Sequence, residues 1–598
     1  MSADVLTRSI DPARTGANTA ESVLTPAAVK ARGVKILLTL QTDDPRIEAQ
    51  PLYVAGIKIG ETMRNVIYQA TMANTVYAWD ADTGDLLWKS SLGVPINGST
   101  AIDVHNINVK WGILSTPVID RAAGILYACA WISFDGSGNW QTGRHFLAAL
   151  DLVTGKPIPG KPLLNLEGTT YDPGHGLPVL RFRSVERKQR AALAMAKGAV
   201  IICFGTITET SKTARGWVIA VDVSKWAIAA AWCSTARGSG AGIWMSAAGP
   251  AIQNDDSIWV VTGNGDFDGQ TDFGESAIRL RYTPATGQVK GSLSVAGWWT
   301  PWTDDARTGA DLKGEAATRL TASAFEEFPK VSNFRLVPHL ARMGVKARDM
   351  GAAWGDQDLG AGGIVLIEHL GIGLLSGKDG ILYTIDITNP GDTRPADLAP
   401  AKAAMNYAKL AAQPILYTYF DASVDPVTPN PATLNQLPAN RTHHLHGTPV
   451  TWFSAIHGQM HFCGGENGNL RAWSIGPEKV SSYLGCSAEV ASPVAPVPAG
   501  GMPGWGISLS ANGSNDGVVW GIIPYGDANR TLTNGRLLAY DATNLARYAD
   551  GSGEIVALWD SQDWNWNFLH PKFNRPVAVA GKIIVPTYDG RVMVLGLA

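Results

Sequence analysis

The feature that most constrains the fold of this 598-residue chain is a repeated pattern of short strands and tight turns. One clear unit runs from Val66 as VIYQATMANTVYAWDADTGDLLWKSSLG, and it reads as strand, turn, strand, turn, strand. The second turn contains Gly84, which can adopt a positive φ, and Trp88 falls on the strand that follows. Looser copies recur along the chain, at 144–160, 216–234, 276–293, 380–392, 468–475, 535–561 and 589–597.

A second element precedes each unit. It is an apolar strand, often with a proline near its start, and it is followed by a turn. Its eight copies lie at 49–56, 115–124, 190–198, 247–255, 362–371, 447–458, 509–517 and 575–582. Units of about four short strands repeated in this way predict an all-β fold, an eight-bladed β-propeller with four-stranded antiparallel blades. Several separate β-sandwiches are the alternative, which the absence of linkers between units disfavours. We interpret the AxDxxTG turns as structural connections within blades and not as catalytic or binding motifs.

The domain organisation follows from where the repeats begin and where their rhythm breaks. We expect an amino-terminal extension over 1–45 and a single propeller over 46–598. An insertion at about 296–353 interrupts the spacing, and we expect a helix near Leu320–Phe328 within it. Long insertions on a rigid scaffold are often lids or binding loops. An ordered decoration on one face is the alternative.

The charge balance excludes some partners. The net charge is −3, which argues against a nucleic acid held by a basic surface. Charged residues are 17% of the chain, and 65 Gly and 21 Trp suit many short strands joined by turns.

No apolar run reaches the roughly 18 residues that a membrane span needs. The first residues lack a secretory signal pattern, so we expect either a cytoplasmic protein or one whose signal has been removed.

The cysteine pattern excludes two further kinds of site. The five cysteines are scattered, with no CxxC, no CxxCH and no adjacent pair, at Cys129, Cys203, Cys233, Cys463 and Cys486. Covalent c-type haem and a cysteine-based zinc site are therefore not expected.

The turn sequence WDADTGDLLWK and its copies resemble the tryptophan-docking repeats of quinoprotein dehydrogenases. These enzymes use pyrroloquinoline quinone (PQQ) on an eight-bladed propeller, and the resemblance covers roughly 45–598. The amino-terminal region, SLSANG and VPTYDGRV look more like an uncharacterised PQQ-like branch of this group. Cofactor-free propellers such as outer-membrane assembly lipoproteins share the repeat. The repeat therefore indicates the fold, and the function depends on the site.

The resemblance implies a cofactor floor and a calcium site. A family tryptophan on which the quinone stacks corresponds to Trp244, and a calcium-binding asparagine twenty residues on corresponds to Asn264 in TGNG. The calcium-binding glutamate corresponds to Glu209, although its offset from Arg215 is two residues longer than the family pattern. The family disulfide between adjacent cysteines has no counterpart in this sequence.

The resemblance also implies a catalytic base and a quinone contact. The segment AAWGDQDLGAGGIVLI offers Asp356 and Asp358, of which Asp358 better fits the distance to the next strand. It would act as base and as a calcium ligand, while Lys378 would contact the quinone oxygens. These residue types suit alcohol oxidation, which needs a base for the hydroxyl proton, a Lewis acid and a flat aromatic support. Each also has a structural interpretation, as a core aromatic, turn, cap, hairpin or solvated loop residue.

Two functions from different classes follow from these residues. The first is a quinoprotein-type oxidoreductase that oxidises an alcohol or sugar hydroxyl with PQQ and Ca²⁺ and passes electrons to a separate acceptor. The resemblance would place it in the periplasm or outside the cell. The second is a cofactor-free propeller that serves in binding or as a scaffold. A hydrolase or lyase is a third option, but no nucleophile motif supports it.

A histidine cluster lies in THHLHG, where His443, His444 and His446 are three of only eleven histidines. Alternate residues of a strand share a face, so His444 and His446 could meet a metal together. We favour a polar segment at a blade edge, because we find no nearby cysteine or carboxylate to complete a ligand set.

Overall fold

The computed structural model describes a defined part of the chain. The main ranges are 4–209, 211–246, 248–300, 358–378, 382–388, 444–476, 481–494, 500–547, 553–561 and 567–598. Three short strands are added, at Thr303–Asp304, Phe334–Arg335 and Asp392–Thr393. Most of the insertion, with the helix expected near Leu320–Phe328, lies outside the described residues, as do Asp356 and His443.

The described strands form eight antiparallel blades, one for each copy of the repeat, so the predicted eight-bladed propeller is confirmed. We number the blades 1 to 8 from the first complete one. From the axis outwards, blade 1 has Leu52–Ile59, Thr62–Ala70, Thr75–Asp80 and Leu86–Ser91, and blade 2 has Val118–Asp120, Ile125–Ser133, Gly143–Asp151 and Leu164–Asn165. Blade 3 has Ala194–Ala196, Ala199–Thr206, Trp217–Asp222 and Ala227–Cys233, and blade 4 has Ala251–Ile252, Ile258–Val261, Ala277–Thr283 and Ser292–Trp299.

Blades 5 to 8 follow the same order, with three strands described in blade 5. Blade 5 has Gly363–Ile367, Ile372–Ser376 and Leu382–Asp386, and blade 6 has Val450–Ser454, Gly458–Cys463, Asn469–Ile475 and Ser481–Val490. Blade 7 has Gly506–Asn512, Asn515–Pro524, Gly535–Asp541 and Ala557–Asp560, and blade 8 has Val577–Val579, Lys582–Pro586, Arg591–Leu597 and Val34–Gln41. The described helices are the α-helix Pro26–Arg32 and the 3₁₀ turns Trp140–Thr142, Ser184–Glu186 and Glu368–Leu370. Short pairings add Ala17–Asn18, Ile96–Asn97, Lys110–Trp111, Thr170–Tyr171, Leu180–Arg181, Arg187–Lys188, Ala546–Arg547 and Gly553–Glu554.

The repeat motif joins neighbouring blades as well as strands. Oδ1 of Asp80 accepts the backbone N–H groups of Asp82 and Thr83, at 2.9 and 3.1 Å, which fixes the turn. The indole N–H of Trp88 donates to the carbonyl of Leu152 in the next blade at 3.1 Å. The ring lies against Gly155, where a Cβ would come within 2.3 Å of it. The glycine of one turn therefore makes room for the tryptophan of the preceding blade.

The ring is closed by strands from both ends of the chain. Val34–Gln41 pairs antiparallel with Arg591–Leu597, from Val34 against Leu597 to Gln41 against Arg591. The last blade therefore takes its outer strand from the amino-terminal region and its three inner strands from the carboxyl-terminal region. The ring includes residues that the sequence analysis assigned to the extension 1–45. Closure leaves no open edge between the first and last blades.

The segment 4–18, which we call the plug, runs around the inside of the ring and contacts the first strand or its approach in every blade. Backbone hydrogen bonds of 2.8–3.0 Å join it to Tyr53, Ile119, Ile252, Leu366, Thr451 and Leu509. Blade 3 is joined through the carbonyl of Leu193, which accepts from Arg14 at 3.2 Å. Blade 8 is joined through the carbonyl of Ala578, which accepts from the amide of Asn18 at 2.9 Å.

Arg14 is the polar centre of the plug and is fully buried. Its guanidinium donates to the carbonyls of Pro250, Arg8 and Leu193 and to Oγ1 of Thr7, at 2.7–3.2 Å. Burial lowers the pKa of Arg14 to about 10, so the side chain stays charged at neutral pH. The Arg14 side chain thus stabilises the fold of the plug through Thr7 and Arg8, and it joins the plug to blades 3 and 4.

Candidate functional site

A pocket of about 160 Å³ lies where the chain approaches the first strands of the blades. Because successive strands run antiparallel, residues just before a first strand and just after a second strand lie at the same end of a blade. Blade 5 shows this directly: Asp358 precedes Gly363–Ile367, Lys378 follows Ile372–Ser376, and both line the pocket.

Four of the five residues that the resemblance singled out line this one pocket. They come from distant parts of the chain: Glu209, Trp244, Asp358 and Lys378. The fifth residue, Asn264, reaches the same place through its backbone, whose N–H donates to Oδ1 of Asp358 at 3.1 Å. The roles of these residues as base, floor and ligands stay predictions.

Trp244 is half-buried and packs closely against two glycines. A Cβ at Gly205 would stand 2.6 Å from the indole ring, and a Cβ at Gly242 would stand 3.0 Å from its Nε1. Glycine at both positions lets the backbone approach the ring closely. The indole also borders the pocket. This arrangement suits a flat aromatic support for a planar ligand.

Asp358 is held on two sides and is 2% exposed. Its Oδ2 lies 2.7 Å from Nζ of Lys378, and its Oδ1 accepts the N–H of Asn264. The backbone N–H of Lys378 also donates to the carbonyl of Asp358 at 3.2 Å. We expected Lys378 to contact quinone oxygens, and in the structure its ammonium is paired with the candidate base.

The pocket wall carries more basic groups than the sequence analysis identified. Its cationic residues are Lys188, Arg190, Lys378 and Lys572, and its carboxylates are Asp103, Glu209 and Asp358. Burial, helped by the neighbouring Arg190, lowers the pKa of Lys188 to about 7 and the pKa of Lys572 to about 8. Four cationic groups against three carboxylates give the wall a small excess of positive charge, which suits an anionic ligand while Lys188 and Lys572 are protonated. The signal for two of these groups is the run ERKQR directly before the first strand of blade 3.

We predict that anion affinity in this pocket falls as the pH rises from 6 to 9. Lys188 and Lys572 lose their protons across this range, and each lost charge removes about 1–4 kcal/mol of attraction at 4 Å. Titration calorimetry with PQQ, a tricarboxylate, should show at least about thirtyfold weaker binding at pH 9 than at pH 6, or about 2 kcal/mol for two lost charges. The Lys188→Met variant should lose much of this dependence. An affinity that rises with pH would contradict the prediction.

The histidine cluster lies just before the first strand of blade 6 and next to a carboxylate. Nε2 of His446 lies 3.1 Å from Oε1 of Glu466, and Nδ1 of His444 lies 3.6 Å from the same oxygen. The expectation that no carboxylate lies near the histidines was wrong. Glu466 follows the second strand of blade 6, and the histidines precede its first strand, so the antiparallel order brings them together. His446 also lines the pocket.

A larger groove lies at the rim of the ring, away from these residues. It has about 750 Å³ and runs along Ala227–Ala231 and Lys290–Leu293, between the outer strands of blades 3 and 4. None of the residues predicted for the site lines it, and its wall combines alanines with Tyr171 and with charged side chains, namely Glu167, Asp172, Asp222, Lys225 and Lys290. The convergence of four predicted residues from distant parts of the chain favours the smaller pocket as the candidate functional site.

No family model matches this chain, and no curated protein matches it. Among solved structures, the quinohemoprotein alcohol dehydrogenase from Comamonas testosteroni is similar over 99% of this chain and 80% of its own, with 15% identity and a TM-score of 0.51. The chain has the fold of a PQQ-type propeller. A europium-containing methanol dehydrogenase also matches, with 12% identity, a TM-score of 0.47 and coverage of 100% and 98%. BamB from Moraxella catarrhalis has 10% identity, a TM-score of 0.42 and coverage of 94% and 98%.

Two further observations bear on the sequence analysis. All five cysteines lie in described parts of the chain, and each is a free thiol. None of the helices in the described ranges is long and apolar enough to cross a membrane.

Proposed function

We propose that this PQQ-type propeller is a quinoprotein-type oxidoreductase that oxidises an alcohol or sugar hydroxyl. The observation that carries the proposal is the convergence of Glu209, Trp244, Asp358 and Lys378 in one pocket. They were selected by motif from segments up to 169 residues apart, and motif matches alone have a high false-positive rate. The same resemblance implies a periplasmic or secreted location and a separate electron acceptor.

The residues of the pocket fit the chemistry of PQQ and Ca²⁺. Trp244 would support the planar ring system, and the cationic wall would neutralise its carboxylates. Glu209 and Asp358 offer the oxygen donors that Ca²⁺ prefers. The resemblance adds the amide oxygen of Asn264, whose backbone N–H donates to Asp358. The pocket volume of about 160 Å³ is below the roughly 300 Å³ of a typical small-molecule site. A ligand of the size of PQQ would therefore extend out of the pocket or displace side chains of the wall.

The part played by the chain itself is proton transfer and charge control. When bound, PQQ with Ca²⁺ supplies the two-electron acceptor. Asp358 takes the hydroxyl proton of the substrate at a carboxylate oxygen. Lys378, 2.7 Å from that carboxylate, keeps it oriented towards the pocket and offsets its charge.

Reconstitution tests the proposal. The purified chain is loaded with PQQ and Ca²⁺, and dye reduction is measured with a panel of alcohols and sugars. We expect Asp358→Asn to retain PQQ binding and to lose about 10²–10⁴-fold in turnover, the usual contribution of a general base. Asp541→Asn is the matched control, since Asp541 orders a turn of blade 7 by accepting the N–H groups of Thr543 and Asn544.

The same experiment separates the two function classes. If the chain binds no PQQ at micromolar concentration, the oxidoreductase proposal is rejected and a cofactor-free propeller used for binding or as a scaffold takes its place. Full activity in Asp358→Asn would reject Asp358 as the base.

A further inference from the structure

The side chains of His444, His446 and Glu466, which we call the His–Glu cluster, converge within the wall of blade 6. One ligand atom from each residue lies within 4.8 Å of the other two. All three are buried, at 8%, 2% and 1% exposure. Among the described residues, Nε2 of His444 and Nε2 of His446 make no hydrogen bond, although Nε2 of His446 lies 3.1 Å from Oε1 of Glu466. A buried ring nitrogen left unpartnered is costly, and a metal ion is one of the few groups that satisfies it.

The donor set of the cluster suits a metal ion. Nε2 of His446 lies 3.1 Å from Oε1 of Glu466, and Nδ1 of His444 lies 3.6 Å from the same oxygen. Imidazole nitrogens and carboxylate oxygens are common ligands of divalent transition metals.

The geometry points to a binding site for a divalent transition-metal ion formed by His444, His446 and Glu466. Two imidazoles and one carboxylate are a ligand set for Zn²⁺ or Fe²⁺ with open positions, and they are not the all-oxygen set of Ca²⁺. The site is therefore distinct from the calcium site in the proposed function.

The metal has a route to ligands through the pocket. His446 lines the pocket, so an open coordination position on that side faces the cavity and its cationic wall. A metal ion there, next to Lys378 and Lys572, binds a small anionic oxygen ligand such as a carboxylate or a phosphate. Lys378 and His446 both line this pocket.

The test is Zn²⁺ titration of the full chain after chelator treatment, without PQQ or Ca²⁺. We expect one equivalent bound, and Co²⁺ in its place should give visible absorption of a low-coordinate nitrogen and oxygen site. Glu466→Gln keeps the shape of the side chain, and His446→Gln removes a nitrogen ligand. Each should weaken Zn²⁺ binding at least tenfold. His175→Gln is the matched control because His175 is an exposed loop residue, and it should bind as the unaltered chain does.

Each outcome decides the proposal. Zn²⁺ should raise the unfolding temperature of the unaltered chain and leave that of Glu466→Gln unchanged, which keeps the test valid if one variant folds poorly. Stoichiometric binding that survives both substitutions overturns the proposal, and so does the absence of binding to the unaltered chain. Asp358→Asn should still bind Zn²⁺, so loss of the quinoprotein function and loss of this site are separate results.

Discussion

Removal of residues 1–20 is expected to abolish the stable fold. The plug makes seven backbone hydrogen bonds to first strands, two with Tyr53 and one each with Ile119, Ile252, Leu366, Thr451 and Leu509. At about 0.5–1.5 kcal/mol each, these bonds contribute about 4–10 kcal/mol. That is comparable with the whole free energy of unfolding of many proteins, about 5–15 kcal/mol. Urea unfolding followed by circular dichroism measures the loss.

A single substitution in the plug tests its contact with the blades with a smaller expected loss of stability than truncation. Arg14→Met should lower the free energy of unfolding by about 3 kcal/mol, because the buried carbonyls of Leu193, Pro250 and Arg8 each lose the hydrogen bond from Arg14. Arg237→Met is the control, since Arg237 is exposed. A truncated chain that unfolds at the same urea concentration as the full chain would show that the plug is dispensable.

The ring itself was predictable, and the plug was not. The AxDxxTG turns and the apolar first strands recur with a regular spacing, and each copy has the composition of its element. Segment 4–18 has no such periodicity, because its partners are first strands scattered over the whole chain. Nothing local to Arg14 indicates that its acceptors are Pro250 and Leu193. The closing strand Val34–Gln41 was missed for the same reason, since its partner lies at the opposite end of the sequence.

The site was predictable where a motif existed. Trp244, Asp358 and Lys378 were found by resemblance, and the structure brings them to one pocket. Glu466 was missed because it lies twenty residues after His446, beyond the second strand of blade 6. Once the strands are assigned, however, their antiparallel order predicts which loops share an end of the blade. Applied to blade 6, that rule identifies Glu466 as the partner of the histidines.

The Gly263→Ala substitution is expected to disable the pocket while the ring stays folded. Gly263 has a φ open to any residue, so alanine meets no backbone strain. Space is the constraint: a Cβ at this position would stand 1.8 Å from Oδ1 and 2.7 Å from Cγ of Asp358. The carboxylate must move, which breaks its 2.7 Å pair with Lys378 and its bond from Asn264. We expect a loss of about 1–3 kcal/mol in the free energy of unfolding.

The effect on function should be much larger than the effect on stability. Displacement of a catalytic group by about 1 Å costs on the order of 10²-fold in rate, so PQQ-dependent dye reduction should fall by at least that factor. Gly476→Ala is the matched control, because a Cβ there meets no atom within 4 Å, and it should change neither quantity. If Gly263→Ala keeps full stability, the Asp358 carboxylate is not held where the structure places it. If it loses stability and keeps turnover, Asp358 is a structural residue and the base lies elsewhere in the pocket.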